Sequence, residues 1–323
     1  MEWTPIKHKI VLNENHRDIL HNKGYLIDGN IGLESIKKLE SIYNKYHKVK
    51  TKKGGMFYSL YSLDLDYRKK VHDEIEAILN VEFKKRFSDY KSVINSFIVK
   101  YNGEESAFTL HQDSTSLDEE KYSPLSVWIP LQDTNLENGC LCVIPQSHKI
   151  FYPYRGISFS TPFHKIENTL RKYLVPIEMK AGDILLFDNR MVHYSPENNS
   201  KKPRLVVMSG LFPKEASLQN CYKELSPKDA PLEIYEQAED FLLTNTTFFH
   251  DCTSRPIVGK KIKEIKLELP EFSAEDFENR AAQLGLEKPE FSKLCNSGQA
   301  MHIVSEPDEK DGNFLSFIKE TFS

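Results

Sequence analysis

The sequence predicts an α+β chain in which short antiparallel strands form a core flanked by helices. Three observations predict this. Residues 92–213 fall into short β-rich runs divided by turn residues, apolar stripes at helical spacing precede them, and acidic sequence of helical character follows. The expected division is a helical flank over 1–91, a β core over 92–213 and a helical extension over 214–323 that packs on the core.

In the flank, Gly32-Leu33-Glu34-Ser35 leads into Ile36, Leu39, Ile42, Tyr43 and Tyr46, which share one helical face. Asp66 is placed to cap a second helix carrying Val71, Ile75, Ile78 and Leu79. Between these helices, Thr51-Lys52-Lys53-Gly54-Gly55-Met56-Phe57-Tyr58 reads as a loop, either plain surface or a substrate lid. In the core, residues 93–101, 126–131, 141–144, 184–187 and 205–212 read as strands, with Asn102-Gly103, Asn138-Gly139 and Ala181-Gly182-Asp183 as turns. Strands this short and this regularly spaced imply a sandwich or barrel, and a cupin-like double-stranded β-helix (jelly roll) with ligands at one mouth fits best. In the extension, residues 230–243 read as a helix on Ile234, Ala238, Phe241 and Leu242. Ser273-Ala274-Glu275-Asp276 opens another, which carries Phe277, Ala281 and Leu284 and stops at Gly285. Phe248-Phe249-His250-Asp251 reads as tail packing or as a flap over a pocket, and residues 296–313 as a loop.

Composition sets outer bounds. With 39% hydrophobic and 28% charged residues in 323, the chain can bury a sizeable core. A net charge of −4 argues against a dedicated nucleic-acid binder and against a polybasic membrane anchor. The start, Met1-Glu2-Trp3-Thr4-Pro5, lacks an apolar leader, and no apolar run is long enough to span a bilayer, so a soluble, cytoplasmic protein is expected. The five cysteines are scattered without a C-x-x-C pair. Cys140 and Cys142 share a strand face and so could form a soft-metal pair, but small buried hydrophobes in a reducing compartment is the favoured reading.

The chemistry is concentrated in His111-Gln112-Asp113 and, far downstream, His193. On an extended segment, side chains two apart share a face, so His111 and Asp113 offer two ligands to one metal. His193 would complete a two-histidine, one-carboxylate facial triad of the kind that binds non-haem Fe(II) and leaves positions open. An H-x-D pair alone is common on surface strands, so three further features matter. Arg204 begins the apolar run Leu205-Val206-Val207-Met208, and a guanidinium embedded there needs an anionic partner such as the far carboxylate of a dicarboxylic acid. Ser195 lies two residues beyond His193, and residues 135–148 form a turn, strand and turn directly after the Trp128 strand. His148 reads as structural, and His21, His47, His72 and His164 as solvated. Gln112 points away from the metal on a regular strand, but a local distortion would turn it towards a substrate.

From Phe97 to Phe212 the chain resembles the phytanoyl-CoA dioxygenase family of Fe(II)/2-oxoglutarate oxygenases. Leu110-His111-Gln112-Asp113 is similar to the first metal motif of that family. Val127-Trp128-Ile129-Pro130-Leu131, Asn138-Gly139-Cys140-Leu141 and Pro145-Gln146-Ser147-His148 resemble its central signature. Gly182-Asp183, Phe187-Asp188 and His193-Tyr194-Ser195 resemble the approach to the second histidine. The resemblance implies that His111, Asp113 and His193 bind iron and that Trp128, Ser195 and Arg204 contact 2-oxoglutarate. Gln146 departs from the pattern, since the family usually has glycine there. Retention of a carboxylate at Asp113 implies hydroxylation, because halogenating relatives carry a small residue at that position.

The expected function is therefore hydroxylation of an unactivated C–H bond in a small metabolite, with Fe(II) as cofactor, 2-oxoglutarate and O2 as co-substrates, and succinate and CO2 released. Desaturation, epoxidation or cyclisation at the same site is the alternative outcome, and a carrier-protein-tethered intermediate is an alternative form of substrate. A non-catalytic cupin-like binding module is the alternative of another class. Neither a nucleic acid nor a membrane is expected as a partner.

Overall fold

Asn13 and Asp64 start two of the three helices that form the N-terminal layer. In the computed structural model, which describes residues 6–47, 55–150, 154–156, 158–159, 161–224, 226–227, 229–245, 255–256, 258–266 and 272–289, α1 (Glu14–Lys23) follows Asn13, whose side chain accepts from the His16 N–H. Ahead of α2 (Gly32–Tyr46), Asn30 Oδ1 accepts from the Gly32 N–H at 2.8 Å. The cap of α3 (Leu65–Phe83) is Asp64, which accepts from the Tyr67 N–H, and not Asp66. Asp64 has the extended backbone that a cap requires, whereas Asp66 already lies in the first turn. The expected stripes hold: Ile36, Leu39 and Ile42 of α2 and Val71, Ile75 and Leu79 of α3 are buried.

The strands are β1 (Tyr25–Asn30), β2 (Met56–Tyr58), β3 (Tyr90–Lys100), β4 (Phe108–His111), β5 (Leu125–Pro130), β6 (Leu141–Val143) and β7 (Val175–Ile177). They continue with β8 (Asp183–Asp188), β9 (His193–Ser195), β10 (Arg204–Pro213), β11 (Leu218–Lys223), β12 (Leu232–Gln237) and β13 (Lys260–Ile265). Two antiparallel sheets face each other as a jelly roll: a larger one in the order β1-β8-β5-β10-β3-β2 and a smaller one in the order β4-β9-β6-β7. The expected core strands fall on β3, β5, β6, β8 and β10. The region before them supplies more than a helical flank, since β1 and β2 close both edges of the larger sheet.

Period-two alternation sorts the strand side chains. Phe97, Val99, Val127, Leu186, Leu205 and Val207 pack outward with Leu39, Ile75 and Leu79 of the helical layer. Trp128, Leu185 and Val206 turn inward, where they meet Leu141 and Val143 of the smaller sheet. The outer face of the smaller sheet, Cys140, Cys142, Ile144, Val192 and Tyr194, is covered by Leu170 of α4 (Glu167–Leu170) and by Phe277 and Ala281 of a C-terminal helix. Both cysteines are buried free thiols in this apolar layer, as expected of small hydrophobes.

The extension departs from the helical expectation. Residues 232–237 form β12, paired on one side with β11 and on the other with β13, and only Phe241–Thr244 (α5) is helical in this stretch. Ile234 fits a period of two with Leu232 as well as the helical spacing with Ala238 and Phe241, and pairing on both sides decided for the strand. The second expected helix is present as α6 (Ala274–Gln283), with Ser273 and Asp276 forming a capping box. Phe277, fully buried under the smaller sheet, contributes about 1.5–3 kcal/mol of apolar burial. Of the loop expected over residues 51–58, Met56–Tyr58 is instead the buried strand β2, held by pairing with β3, and residues 51–54 lie outside the described residues, as do the Phe248-to-Asp251 cluster and residues 296–313. Among the described residues, no helix is long and apolar enough to cross a membrane.

Candidate metal centre

His111 and His193 meet because β4 and β9 pair antiparallel with these two residues directly opposite. Their rings stand 4.1 Å apart, centroid to centroid. Each ring is fixed by the carbonyl two residues before it. His111 Nδ1 donates to the Thr109 carbonyl at 2.8 Å and His193 Nδ1 to the Met191 carbonyl at 3.0 Å. A carbonyl can only accept, so Nδ1 carries the proton in both rings and Nε2 presents its lone pair. Those two Nε2 atoms lie 3.8 and 3.9 Å from Asp113 Oδ1. One ligand atom from each of the three residues fits within 4.8 Å of the others, which is the spacing of a metal triad.

Asp113 reaches the site by a different route from the strand alternation expected of it. The β4 ladder ends at His111, and Asp113 is held instead by its N–H, which donates to the Asn189 carbonyl at 3.1 Å. Ser126 Oγ, on β5, bridges Asn189 Oδ1 at 2.9 Å and Asp113 Oδ2 at 3.5 Å. Gln112 is buried, and its amide donates to the Arg190 carbonyl at 2.5 Å, so it also docks on the 189–190 turn; its Oε1 has no partner. The turn in its own right is anchored on Asp188, buried between Arg190 and His8. Arg190 Nε donates to Asp188 Oδ1 at 2.6 Å, and His8 Nε2 lies 2.9 Å from Oδ2. Burial alone would raise the Asp188 carboxyl, but Arg190 and then His8 hold it well below the usual carboxylate range.

Burial pushes the His111 imidazole well down, with His193 adding to it, and pushes the Asp113 carboxyl up. Two imidazole Nε2 atoms and a carboxylate form a donor set suited to a divalent metal.

Arg204 stands across the sandwich, at the start of β10 and only 2% exposed. Its Nη1 donates to the Gly139 carbonyl and lies 3.3 Å from Ser195 Oγ, its Cζ is 5.3 Å from the Trp128 ring, and its Nε has no partner. Burial lowers its pKa to about 10, the mark of a guanidinium without an anion. The structure therefore gathers Trp128, Ser195 and Arg204 into one corner and His111, Asp113 and His193 into another, both facing the interior.

Two groups of residues in this site were absent from the sequence reading. One is the clamp that Arg190 and His8 make on Asp188, with the Asn189 and Ser126 neighbours: Asp188 lies in the approach to the second histidine, but its distant partners His8 and Ser126 carry no motif. The other is Lys100, which is completely buried beside Ser195. Its signal was visible: a lysine within the apolar run Phe97-Ile98-Val99-Lys100, on the inward parity of Ile98. His148 is structural as expected, buried with Nε2 donating to the His21 carbonyl at 3.0 Å. His72, expected to be solvated, is buried, and its Nδ1 accepts from the Asn95 N–H at 3.0 Å.

The chain is similar to a phytanoyl-CoA dioxygenase of Arabidopsis thaliana, 37% identical over 114 residues that make up 33% of this chain and 39% of the relative. It is likewise similar to phytanoyl-CoA dioxygenase 1 of Oryza sativa subsp. japonica, 32% identical over 149 residues, 45% of this chain and 53% of the relative. The matches thus span about half the length of these curated relatives or less. Among solved structures, HygX from Streptomyces hygroscopicus with nickel and 2-oxoglutarate bound aligns at a TM-score of 0.46 and 14% identity, covering 64% of this chain and 88% of that one. The family profile described as phytanoyl-CoA dioxygenase (PhyH) matches residues 24–206, which include all three members of the triad and Arg204. With more than half of its length under that profile, the chain belongs to the phytanoyl-CoA dioxygenase (PhyH) family.

Proposed function

We propose that the protein is an Fe(II)- and 2-oxoglutarate-dependent dioxygenase that hydroxylates a C–H bond of a small molecule. The observation that carries this reading is the triangle of His111, Asp113 and His193, within 4.8 Å of one another, in a sandwich that also buries the Arg204 guanidinium with its Nε unpartnered. Membership of the family supports it further.

His111 and His193 would hold the iron through Nε2 and Asp113 through a carboxylate oxygen. Iron bound there, with 2-oxoglutarate and O2, supplies the oxidising power that places one oxygen atom of O2 in the product hydroxyl and the other in succinate as CO2 is lost. Arg204 receives the far carboxylate of the co-substrate, a charge-assisted contact that its unpartnered Nε is free to make. Trp128 walls the Arg204 side chain, and Ser195 holds Nη1 from behind. The Asn189 carbonyl and Ser126 keep Asp113 turned towards the histidines. The apolar inner faces of β5 and β10 keep water from the reacting atoms. Gln112 supports the Arg190 turn through its NH2 group, which leaves its unpartnered Oε1 as the atom that would meet a substrate.

The test is an anaerobic visible spectrum of protein with Fe(II), before and after 2-oxoglutarate, with His111→Ala alongside. The expected result is a charge-transfer band that needs both additions and is lost in the variant. Its absence from folded wild-type protein, together with no succinate formed in air, would overturn the reading in favour of a non-catalytic binding module.

A further inference from the structure

Lys100 is fully buried, one strand away from Arg204 and paired with it across the β3–β10 ladder. Its ammonium lies 2.6 Å from Ser195 Oγ, 3.0 Å from the Ser195 carbonyl and 2.5 Å from the Pro196 carbonyl. An ammonium has three donors, so these three acceptors saturate it and leave none for a ligand. The placement is otherwise unfavourable, since burial and then the Arg204 charge press Lys100 well below its ordinary range. An apolar side chain would avoid that penalty, but it would leave the two carbonyls where β9 ends without this partner.

The contacts around it form one network. Ser195 Oγ donates to the Gly139 carbonyl at 2.8 Å, and the same carbonyl accepts from Arg204 Nη1. With its hydrogen on Gly139, the Ser195 hydroxyl has two lone pairs left, and these face Lys100 and Arg204. Asn198 Nδ2 donates to the Lys100 carbonyl at 2.9 Å and to the Lys202 carbonyl at 2.8 Å, so the main chain of Lys100 holds the β9–β10 connection that its side chain also grips.

We infer that Lys100 is a positioning residue for the co-substrate end of the site, acting through Ser195 and Pro196 to fix β9 against β10 and so to aim the Arg204 fork. This rests on the reading above, in which Arg204 receives the carboxylate of 2-oxoglutarate. The metal ligands are affected less, because His193 has its own anchor on the Met191 carbonyl.

The experiment is calorimetric titration of Mn(II), then of 2-oxoglutarate, into wild type, Lys100→Met, Ser195→Ala, the double variant and Arg204→Ala. Thermal midpoints are read with and without 2-oxoglutarate. Lys100→Met is expected to bind Mn(II) like wild type yet 2-oxoglutarate about tenfold or more weakly, the scale of a hydrogen bond to a charged group. The midpoint increment that 2-oxoglutarate adds should shrink in that variant. The Lys100→Met and Ser195→Ala effects on 2-oxoglutarate should be less than additive in the double variant. Lys100→Gln, which keeps two of the three N–H donors, replaces Lys100→Met if the latter does not fold, with an intermediate loss expected.

A lowered midpoint with unchanged 2-oxoglutarate affinity would overturn the inference and leave Lys100 as a fold residue only. An equal loss of Mn(II) and 2-oxoglutarate would overturn it as well. If wild type binds Mn(II) but not 2-oxoglutarate, or if Arg204→Ala binds 2-oxoglutarate normally, the dioxygenase reading itself fails, a result distinct from the first two.

Discussion

At Gly139 the main chain has φ +76°, and an added Cβ would stand 2.5 Å from the Pro196 carbonyl oxygen and 2.8 Å from Lys100 Cδ. Its carbonyl also accepts from both Ser195 and Arg204, so a shift of this one turn moves the corner proposed to receive the co-substrate. Gly139→Ala should lower stability by about 2 kcal/mol, from left-handed strain plus the clash, and should weaken 2-oxoglutarate binding. Urea unfolding and a titration of 2-oxoglutarate into Mn(II)-loaded protein check the two effects separately. Gln146 shows the opposite case. It has φ +61°, the left-handed conformation that glycine adopts freely, at the position where the family resemblance leads one to expect glycine. Its side chain offers a compensation that glycine lacks, since Nε2 donates to the Leu284 carbonyl at 3.0 Å, just beyond α6. At this scale the sequence was most legible where a residue does what its type requires. A histidine and an aspartate two apart on an extended run, and an arginine embedded in an apolar strand, both announced a site. Lys100 stood out as a lysine in an apolar run, but its partners did not, because two of the three are backbone carbonyls, which leave no trace in residue identity.

The elements that carry the site were read more securely than the links between them. The strands over residues 93–101, 126–131, 141–144, 184–187 and 205–212 all exist because alternation and turn chemistry agree there. The 188–193 turn was quoted as a motif, but its dependence on the N-terminal segment was invisible, since the His8 contact with Asp188 joins residues from opposite parts of the sequence. That clamp makes a prediction for the turn as a unit. Asp188→Asn should cost about 3–5 kcal/mol at neutral pH, because Arg190 would remain buried without its carboxylate. An Asp held below its ordinary pKa contributes stability above the unfolded value of about 3.9 and loses it as pH falls through the lower folded value. Variant and wild type should therefore converge in stability as the pH drops below about 4, as measured by urea unfolding across that range. A constant gap down to the lowest pH would count against the carboxylate as the cause. Residues 232–237 were misread for a related reason: a short run with two admissible periods is decided by neighbours, and β11 and β13 lie on either side of it.

Burial favours the neutral form of several histidines across the molecule. Burial lowers His148 and His47 to about 4 and lowers His72 as well. In the unfolded chain these rings protonate near 6.5, so between pH 6.5 and 4 the unfolded state binds more protons and folding stability falls with pH. For His148 alone the loss across that window is roughly 3 kcal/mol. Metal-free protein should accordingly show a declining urea midpoint from pH 7 to pH 4.5, and His148→Gln should flatten part of the slope. The site is spread over the same two-layer plan. The two histidines sit on β4 and β9 of the smaller sheet, and Arg204 sits on β10 of the larger, a strand held on both sides by β3 and β5.

Because Lys100 and Arg204 of the larger sheet bond to Ser195, Pro196 and Gly139 beside the smaller one, neither layer can slide along the other without breaking those contacts, and the gap from the triad to Arg204 works as a fixed ruler. A five-carbon 2-oxo diacid is the length that the proposed function asks it to measure. Oxaloacetate, one carbon shorter, would leave either the metal or the guanidinium unmet, and 2-oxoadipate, one carbon longer, would have to buckle against Trp128. Succinate yields and isotherms with the three diacids should therefore single out the middle length. Trp128→Ala should widen tolerance towards the longer acid and not the shorter.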